Sequence, residues 1–327
     1  MRNTLKTLTT TYGGAGRENT VAEVIREMVA PYVDTIETDA LGNLICIKKG
    51  EGKRVMLAAH MDHIGFIVTN IDENGFLRVH NCGGIRPANS MNRHVVFENG
   101  VHGLLSNEMK DFDNTLAKMF IDIGAHSKEE AESMVSLGDV AVYAPDVFDM
   151  GDYISGPAMD NRVGCAVVVE TLEQLCENPK SEVAAVFTVQ EEVGCRGARA
   201  AAYSVNPDVG IALDVTMSGD TPNGFGIACG LGKGVAIKLM DSSLICTPSV
   251  VKALIGAAER ESIPFQREVL TAGGTDASAI NTTRGGIPSG VLSIACRYVH
   301  SATETVSVSD CEAAAKLLAT VLNNGEL

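Results

Sequence analysis

Apolar positions recur along this chain in two rhythms, and the switch between them divides it. Thr20 and Glu23 have capping-box spacing, and Val21, Val24, Ile25, Met28 and Val29 then recur at helical spacing until Pro31, which predicts a helix. Short apolar runs at 35–38 and 44–47 read as strands. The run Val55-Met56-Leu57-Ala58-Ala59 reads as a strand buried on both faces that leads straight into His60. From 65 to 155 the texture becomes short β segments (66–71, 76–80, 94–98 and 101–105) separated by Gly and Asn turns, with one short helix opening at Ser127, three residues before Glu130. Long alternation then resumes: helix 161–177, strand 183–189, strand 209–213, helix 249–262, strand 291–298 and a closing helix 309–322. This order predicts an α/β fold, a mixed sheet flanked by helices, built from residues 1–64 and 156–327 and interrupted by a small β-barrel-like domain over 65–155.

Composition narrows the function classes. With 327 residues, 45% hydrophobic and 20% charged, the chain is long enough for two domains and reads as a globular protein. A net charge of −15 argues against nucleic acid or an anionic membrane surface as the main partner, because both require a basic footprint. No apolar run of membrane-spanning length occurs, and the first residues lack the apolar core of a signal peptide, so the cytoplasm is the expected location. The nine cysteines form no Cys-x-x-Cys pair and read as reduced core residues, as in Ile45-Cys46-Ile47. The Gly-rich stretch 224–234 lacks the spacing of a phosphate loop.

Candidate chemistry gathers where strands end. Glu191 and Glu192 follow the strand at 183–189; neighbouring carboxylates repel and lose hydration when buried, so cations are expected beside them. His60 and Asp62 follow the strand at 55–59, Asp214 follows 209–213, His300 follows 291–299, and Asp160 opens a helix. In open α/β sheets, sites form outside the carboxyl ends of strands, so these residues can converge. Taken singly, each has a plainer role: a histidine after a strand as a satisfied polar group, an aspartate before a helix as its cap. Five such ends together suit a two-metal hydrolase, in which the charge of two divalent cations is nearly balanced by Asp160, Asp214, Glu192 and a hydroxide. Asp160 is the bridging candidate.

The segments Ala59-His60-Met61-Asp62, 158–164, Gln190-Glu191-Glu192-Val193-Gly194, Leu213-Asp214-Val215, 273–277 and 297–301 stand in the order found in the TET-type dinuclear aminopeptidases, which the chain closely resembles. That family of cytosolic metallopeptidases includes glutamyl aminopeptidases and has been labelled endoglucanase M. The resemblance implies a dinuclear zinc exopeptidase-like fold holding two divalent metal ions per subunit, zinc ahead of cobalt or manganese. Asp160 bridges them, His60 and Asp214 complete one site, and Glu192 and His300 complete the other. Glu191 is the implied general base, taking a proton from metal-activated water and returning it to the leaving amine, and Asp62 the carboxylate that orients His60. Gly273, Gly274, Thr275 and Asp276 line the implied substrate pocket. The implied substrates are short peptides trimmed from their amino termini, and the implied assembly is a homo-oligomer of dimers, joined through the inserted domain, in a tetrahedral dodecamer. His63 stands where family members commonly carry an acid and reads as an outward-facing neighbour of the site. Two-metal deacylases and carboxy-end exopeptidases share this chemistry. A glycoside hydrolase also uses paired acids, but it needs neither histidines nor metals, and the chain has no Trp for sugar stacking. A binding module that has lost catalysis finds no support, since every expected ligand and the base are present.

Overall fold

A computed structural model describes residues 1–108, 115–224 and 226–327. Helices α1 (Arg2–Thr10) and α2 (Asn19–Val29) precede strands β1 (Thr35–Thr38), β2 (Leu44–Lys48) and β3 (Arg54–His60). Next come β4 (Gly65–Ile71), β5 (Leu77–Cys82), α3 (Pro87–Ser90), β6 (Arg93–Phe97), β7 (His102–Asn107), β8 (Met119–Asp122), α4 (Lys128–Met134) and β9 (Val140–Tyr143). These six strands close into a barrel in the order β4-β5-β8-β7-β6-β9. The chain returns through β10 (Phe148–Met150), β11 (Tyr153–Gly156), α5 (Met159–Gln174), β12 (Glu182–Thr188), α6 (Arg196–Val205) and β13 (Val209–Met217). It ends with β14 (Val235–Met240), α7 (Pro248–Arg260), β15 (Phe265–Val269), α8 (Asp276–Asn281), β16 (Ser289–Arg297), β17 (Glu304–Ser307) and α9 (Val308–Asn324).

The large sheet runs β1-β2-β12-β3-β13-β16-β17-β11-β10, with β14 and β15 branching from β16. Its central strands β12, β3, β13 and β16 are parallel, and antiparallel strands flank them, so the expected mixed α/β sheet is present. Alternation along β3 explains the two helical layers. Val55, Leu57 and Ala59 pack into the core shared with α1, α2, α5 and α9, whereas Met56 and Ala58 face Ala198, Ala201, Ala202 and Ile280 of α6 and α8. The barrel has its own apolar core, with Phe66 and Tyr143 edge to face at 5.8 Å. No helix among the described residues is long and apolar enough to cross a membrane.

Several local expectations change. Ser127 does cap α4, its Oγ accepting from Glu130 N at 3.2 Å, while Glu130 accepts from His126 N at 2.8 Å. The similar pair Thr20 and Glu23 makes no cap: α2 starts two residues earlier than that pair implies, after Glu18, whose carboxylate turns away to Gly16 N and Gln190 N. Strand β13 continues through Asp214 to Met217, because Asp214 pairs with Ser293 inside the parallel ladder. Helices α1, α6 and α8 and strands β14, β15 and β17 are additional to the expected elements.

One side chain ties the amino-terminal segment to α5. Arg162 of α5 is fully buried and donates to the carbonyls of Leu8 (2.7 Å), Thr11 (3.1 Å) and Gly13 (3.5 Å). A Cβ on Gly13 would meet Arg162 Nη2 at 2.3 Å, which requires glycine there. Replacing Arg162 with Ala leaves these carbonyls unpaired and is expected to cost about 2–4 kcal/mol, read from the shift of a chemical unfolding midpoint. A loss below about 1 kcal/mol would contradict this role.

Candidate active site

The carboxyl ends of the parallel strands supply the cluster. His60 is the last residue of β3 and pairs in register with Thr188, the end of β12, so the turn carrying Glu191 and Glu192 opens beside it. Asp214 projects from β13, His300 follows β16, and Asp160 lies at the start of α5, where the peptide to Asn161 is cis. Ala158, Gln190, Tyr298 and His300 all have φ between 56° and 63°, left-handed values that cost non-glycine residues about 1–2 kcal/mol each. These residues sit on the turns that aim the site.

These side chains meet as two groups joined by Asp160. Its Oδ1 lies 3.1 Å from His60 Nε2, which is 3.8 Å from Asp214 Oδ1. Its Oδ2 lies 3.3 Å from His300 Nε2, which is 3.5 Å from Glu192 Oε1. Ligands bound to a tetrahedral zinc at 2.0–2.1 Å stand about 3.3 Å from one another, so both groups have the spacing of a coordination shell. Asp160 Oδ1 and Glu192 Oε1 are buried without a hydrogen-bond partner, an arrangement that a cation would complete.

The electrostatics of the cluster point the same way. Burial first, and neighbouring acids second, push the carboxyls of Glu191, Glu192 and Asp214 up. Burial also acts to raise Asp160, but the imidazoles of His300 and His60 close beside it outweigh that and hold it below the usual carboxylate range. Burial disfavours charge on the two imidazoles, yet Asp160 and the acids around it raise His60 well above its ordinary value and His300 to about 12. A pocket that loads protons onto its histidines attracts positive charge strongly, and divalent cations can take the place of those protons. The donors therefore fit two divalent metals.

Buried carboxylates hold the backbone of the cluster. Asp62 is fully buried and accepts from Glu191 N at 2.9 Å and Glu192 N at 3.1 Å. The contact expected between its carboxylate and His60 is made mainly by its backbone carbonyl, 2.9 Å from Nδ1 against 3.5 Å for Oδ1, because the carboxylate is already engaged by those two amides. Glu304, which the sequence did not single out, accepts from Asp160 N at 2.9 Å and His300 N at 2.7 Å. Burial and the charge of Asp160 push its carboxyl up to about 8. Glu18 holds Gln190 N at 3.1 Å in the same way. The signal available for Glu304 was its place four residues after His300, at the start of an apolar-flanked strand.

Glu191 belongs to neither metal group. It faces a cavity of about 530 Å³ lined also by His60, Asp160, Glu192, Asp214 and His300, and Cys195 Sγ donates to its Oε1 at 3.2 Å. Gly273 and Gly274 form part of the cavity wall. Thr275 and Asp276 do not: Thr275 caps α8 through Ala277 N, and Asp276 is buried beneath the wall, bonded to Thr188 Oγ1 at 2.5 Å. Capping of α8 turns Thr275 inward, and the bond to Thr188 holds Asp276 there. His63 is likewise buried, not outward-facing, since its amide donates to Gly13 O at 3.2 Å; burial and Arg162 lower its imidazole to about 3, so it stays neutral.

Residues 42–317 match the model of the M42 glutamyl aminopeptidase family. The chain is 50% identical to a putative aminopeptidase of Acetivibrio thermocellus, over 97% of each chain. Its fold superimposes on an aminopeptidase from the archaeon Desulfurococcus kamchatkensis with a TM-score of 0.93 at 36% identity, covering 98% and 94% of the two chains. It also matches the TET1 peptidase of Pyrococcus horikoshii, which can assemble into a tetrahedron or a large octahedral shell, with a TM-score of 0.87 at 32% identity over 98% of each.

Removing the Glu304 carboxylate tests the backbone clamp. Glu304→Ala leaves two buried amides unpaired and is expected to cost about 2–4 kcal/mol and to lower bound metal, while Glu304→Gln, which keeps one acceptor, falls between. Metal content per folded subunit checks this; an unaltered content in Glu304→Ala would contradict it.

Proposed function

The chain belongs to the M42 glutamyl aminopeptidase family and is a metal-dependent aminopeptidase, and we propose that it removes single residues from the free amino termini of short peptides. His60 and Asp214 would hold one divalent metal, Glu192 and His300 the other, with Asp160 shared between them. The observation that carries this assignment is Asp160 itself, which turns one oxygen to each imidazole. Zinc suits this mixed N/O donor set, with cobalt and manganese as alternatives.

When bound, the metals supply Lewis acidity, polarising the scissile carbonyl and lowering the pKa of the attacking water. Glu191 acts as the base: Cys195 occupies one of its oxygens and leaves the other free to take a proton in the cleft. The same carboxyl then returns that proton to the leaving amine. Acidic side chains around the cavity receive the substrate's ammonium group, which ties cleavage to a free amino terminus. Gly273 and Gly274, without side chains, leave room on the wall where the terminal side chain would lie.

In this reading residues 65–155 form a unit inserted into the catalytic domain of 1–64 and 156–327. We assign the barrel the dimer contact, with dimers building a tetrahedral dodecamer that acts in the cytoplasm. Leu104 and Leu137 stand exposed there, and the Pyrococcus horikoshii relative assembles into a tetrahedron.

Chelated enzyme is expected to be inactive on aminoacyl p-nitroanilides and to recover on adding zinc, cobalt or manganese, while N-acetylated counterparts stay uncut under every metal. Cleavage of the acetylated series at comparable rates would instead favour a deacylase-type hydrolase. Glu191→Gln is expected to keep both metals and lose about 10²–10⁴-fold in kcat. Substantial residual turnover with metal intact would remove Glu191 from the role of base.

A further inference from the structure

A second cavity adjoins the reaction cavity and has the opposite charge. It measures about 410 Å³ and shares Arg86, Met217 and Val299 with the first, but it does not reach the wall at Gly273 and Gly274. Its lining contains Arg86, Arg93 and Asn89 and no carboxylate, whereas Asp160, Glu191, Glu192 and Asp214 all line the reaction cavity. Neither Arg86 nor Arg93 has an ion-pair partner among the described residues, although the chain carries 41 acidic residues against 26 basic ones. The nearby Arg297 is different, since both oxygens of Asp220 neutralise it.

The position of Arg86 is fixed by the site itself. It follows Gly83, Gly84 and Ile85, the segment that leaves β5 and crosses Glu192 and His300. A Cβ on Gly83, at φ 84°, would meet Glu192 Oε2 at 2.7 Å, and one on Gly84 would meet His300 Nδ1 at 2.8 Å. Two glycines thus let the barrel backbone lie directly on one metal group and carry the guanidinium to the cleft. Arg93 starts β6 on the other side of the short helix α3.

We propose that Arg86 and Arg93 form a carboxylate-binding subsite for the part of the peptide beyond the scissile bond. The inference rests on the aminopeptidase reading above and adds a substrate class to it. A short peptide is a dipole, ammonium at one end and carboxylate at the other, and the two joined cavities form an acidic end and a basic end to receive it. With the terminal side chain against Gly273 and Gly274, the remaining residues run toward Arg86. Guanidinium groups suit this task, because their paired N–H donors match the two oxygens of a carboxylate. The same chemistry could be presented by the carboxyl terminus of a di- or tripeptide or by an acidic side chain just after the cleaved residue.

The test compares kcat/KM of the metal-loaded enzyme on tripeptides with a free carboxyl terminus, on the same tripeptides amidated, and on amidated tripeptides with Glu or Gln as the second residue. The wild type is expected to favour the carboxylate-bearing member of a pair about tenfold, chiefly through KM, and less at high salt because the arginines are exposed. In Arg86→Ala and Arg93→Ala each ratio is expected to fall toward one, and Arg86→Lys to recover part of it. Each ratio is taken within one variant, so loss of folded enzyme cancels. An advantage confined to free termini identifies a chain-end site; one confined to Glu identifies an acidic side-chain site. Equal rates for acid and amide in the wild type, or a preference unchanged in both alanine variants, would overturn the subsite while leaving the aminopeptidase intact. Failure to cut any free amino terminus would overturn the aminopeptidase reading and this inference with it.

Discussion

Carboxylates taken out of water cost several kcal/mol each unless hydrogen bonds or cations compensate them, and this chain buries Asp62, Asp160, Asp214, Asp276 and Glu304 around one point. The local structure follows from how each is compensated. Asp62 and Glu304 are satisfied by backbone amides, two apiece, and in return they fix the turns that carry Glu191, Glu192, Asp160 and His300. Asp160 and Glu192 are left to the imidazoles and to cations, and Asp214 adds to these only the amide beside it, Val215 N at 2.8 Å. The first kind of carboxylate is scaffolding, tied to the backbone of those turns, and the second faces the cavity with oxygens free for the proposed metals.

The sheet makes this concentration possible. Parallel pairing of β12, β3 and β13 brings three carboxyl-terminal ends side by side, and helices on both faces keep water from the strands beneath. The barrel adds the remaining wall. Its Gly83-Gly84 turn lies against Glu192 and His300 so closely that no side chain would fit.

Much of this was legible in the residues. Runs such as 55–59 announce buried strands, and His60, Glu191 and His300 stand just after such runs, so the residues that cluster could be picked out from strand ends and residue type. Asp214 was found for a partly mistaken reason, since its strand continues past it. What could not be read is which partner a polar group finds across the fold. Glu18 and Glu304 look like ordinary surface acids in sequence, and only the tertiary fold brings the amides of Gln190, Asp160 and His300 to them. Thr20–Glu23 and Ser127–Glu130 have the same spacing, yet only the second caps a helix, because Glu18 begins α2 early. The loop at 273–276 looked like pocket lining throughout, but α8 begins inside it and turns Thr275 and Asp276 away.

The proposed chemistry depends on Asp160 bridging two metals. The most direct test is anomalous diffraction at the zinc absorption edge from crystals of zinc-loaded protein. Two peaks per subunit are expected, one against His60 and Asp214 and the other against Glu192 and His300, with an oxygen of Asp160 bound to each. A single peak, or two that do not share Asp160, would contradict it.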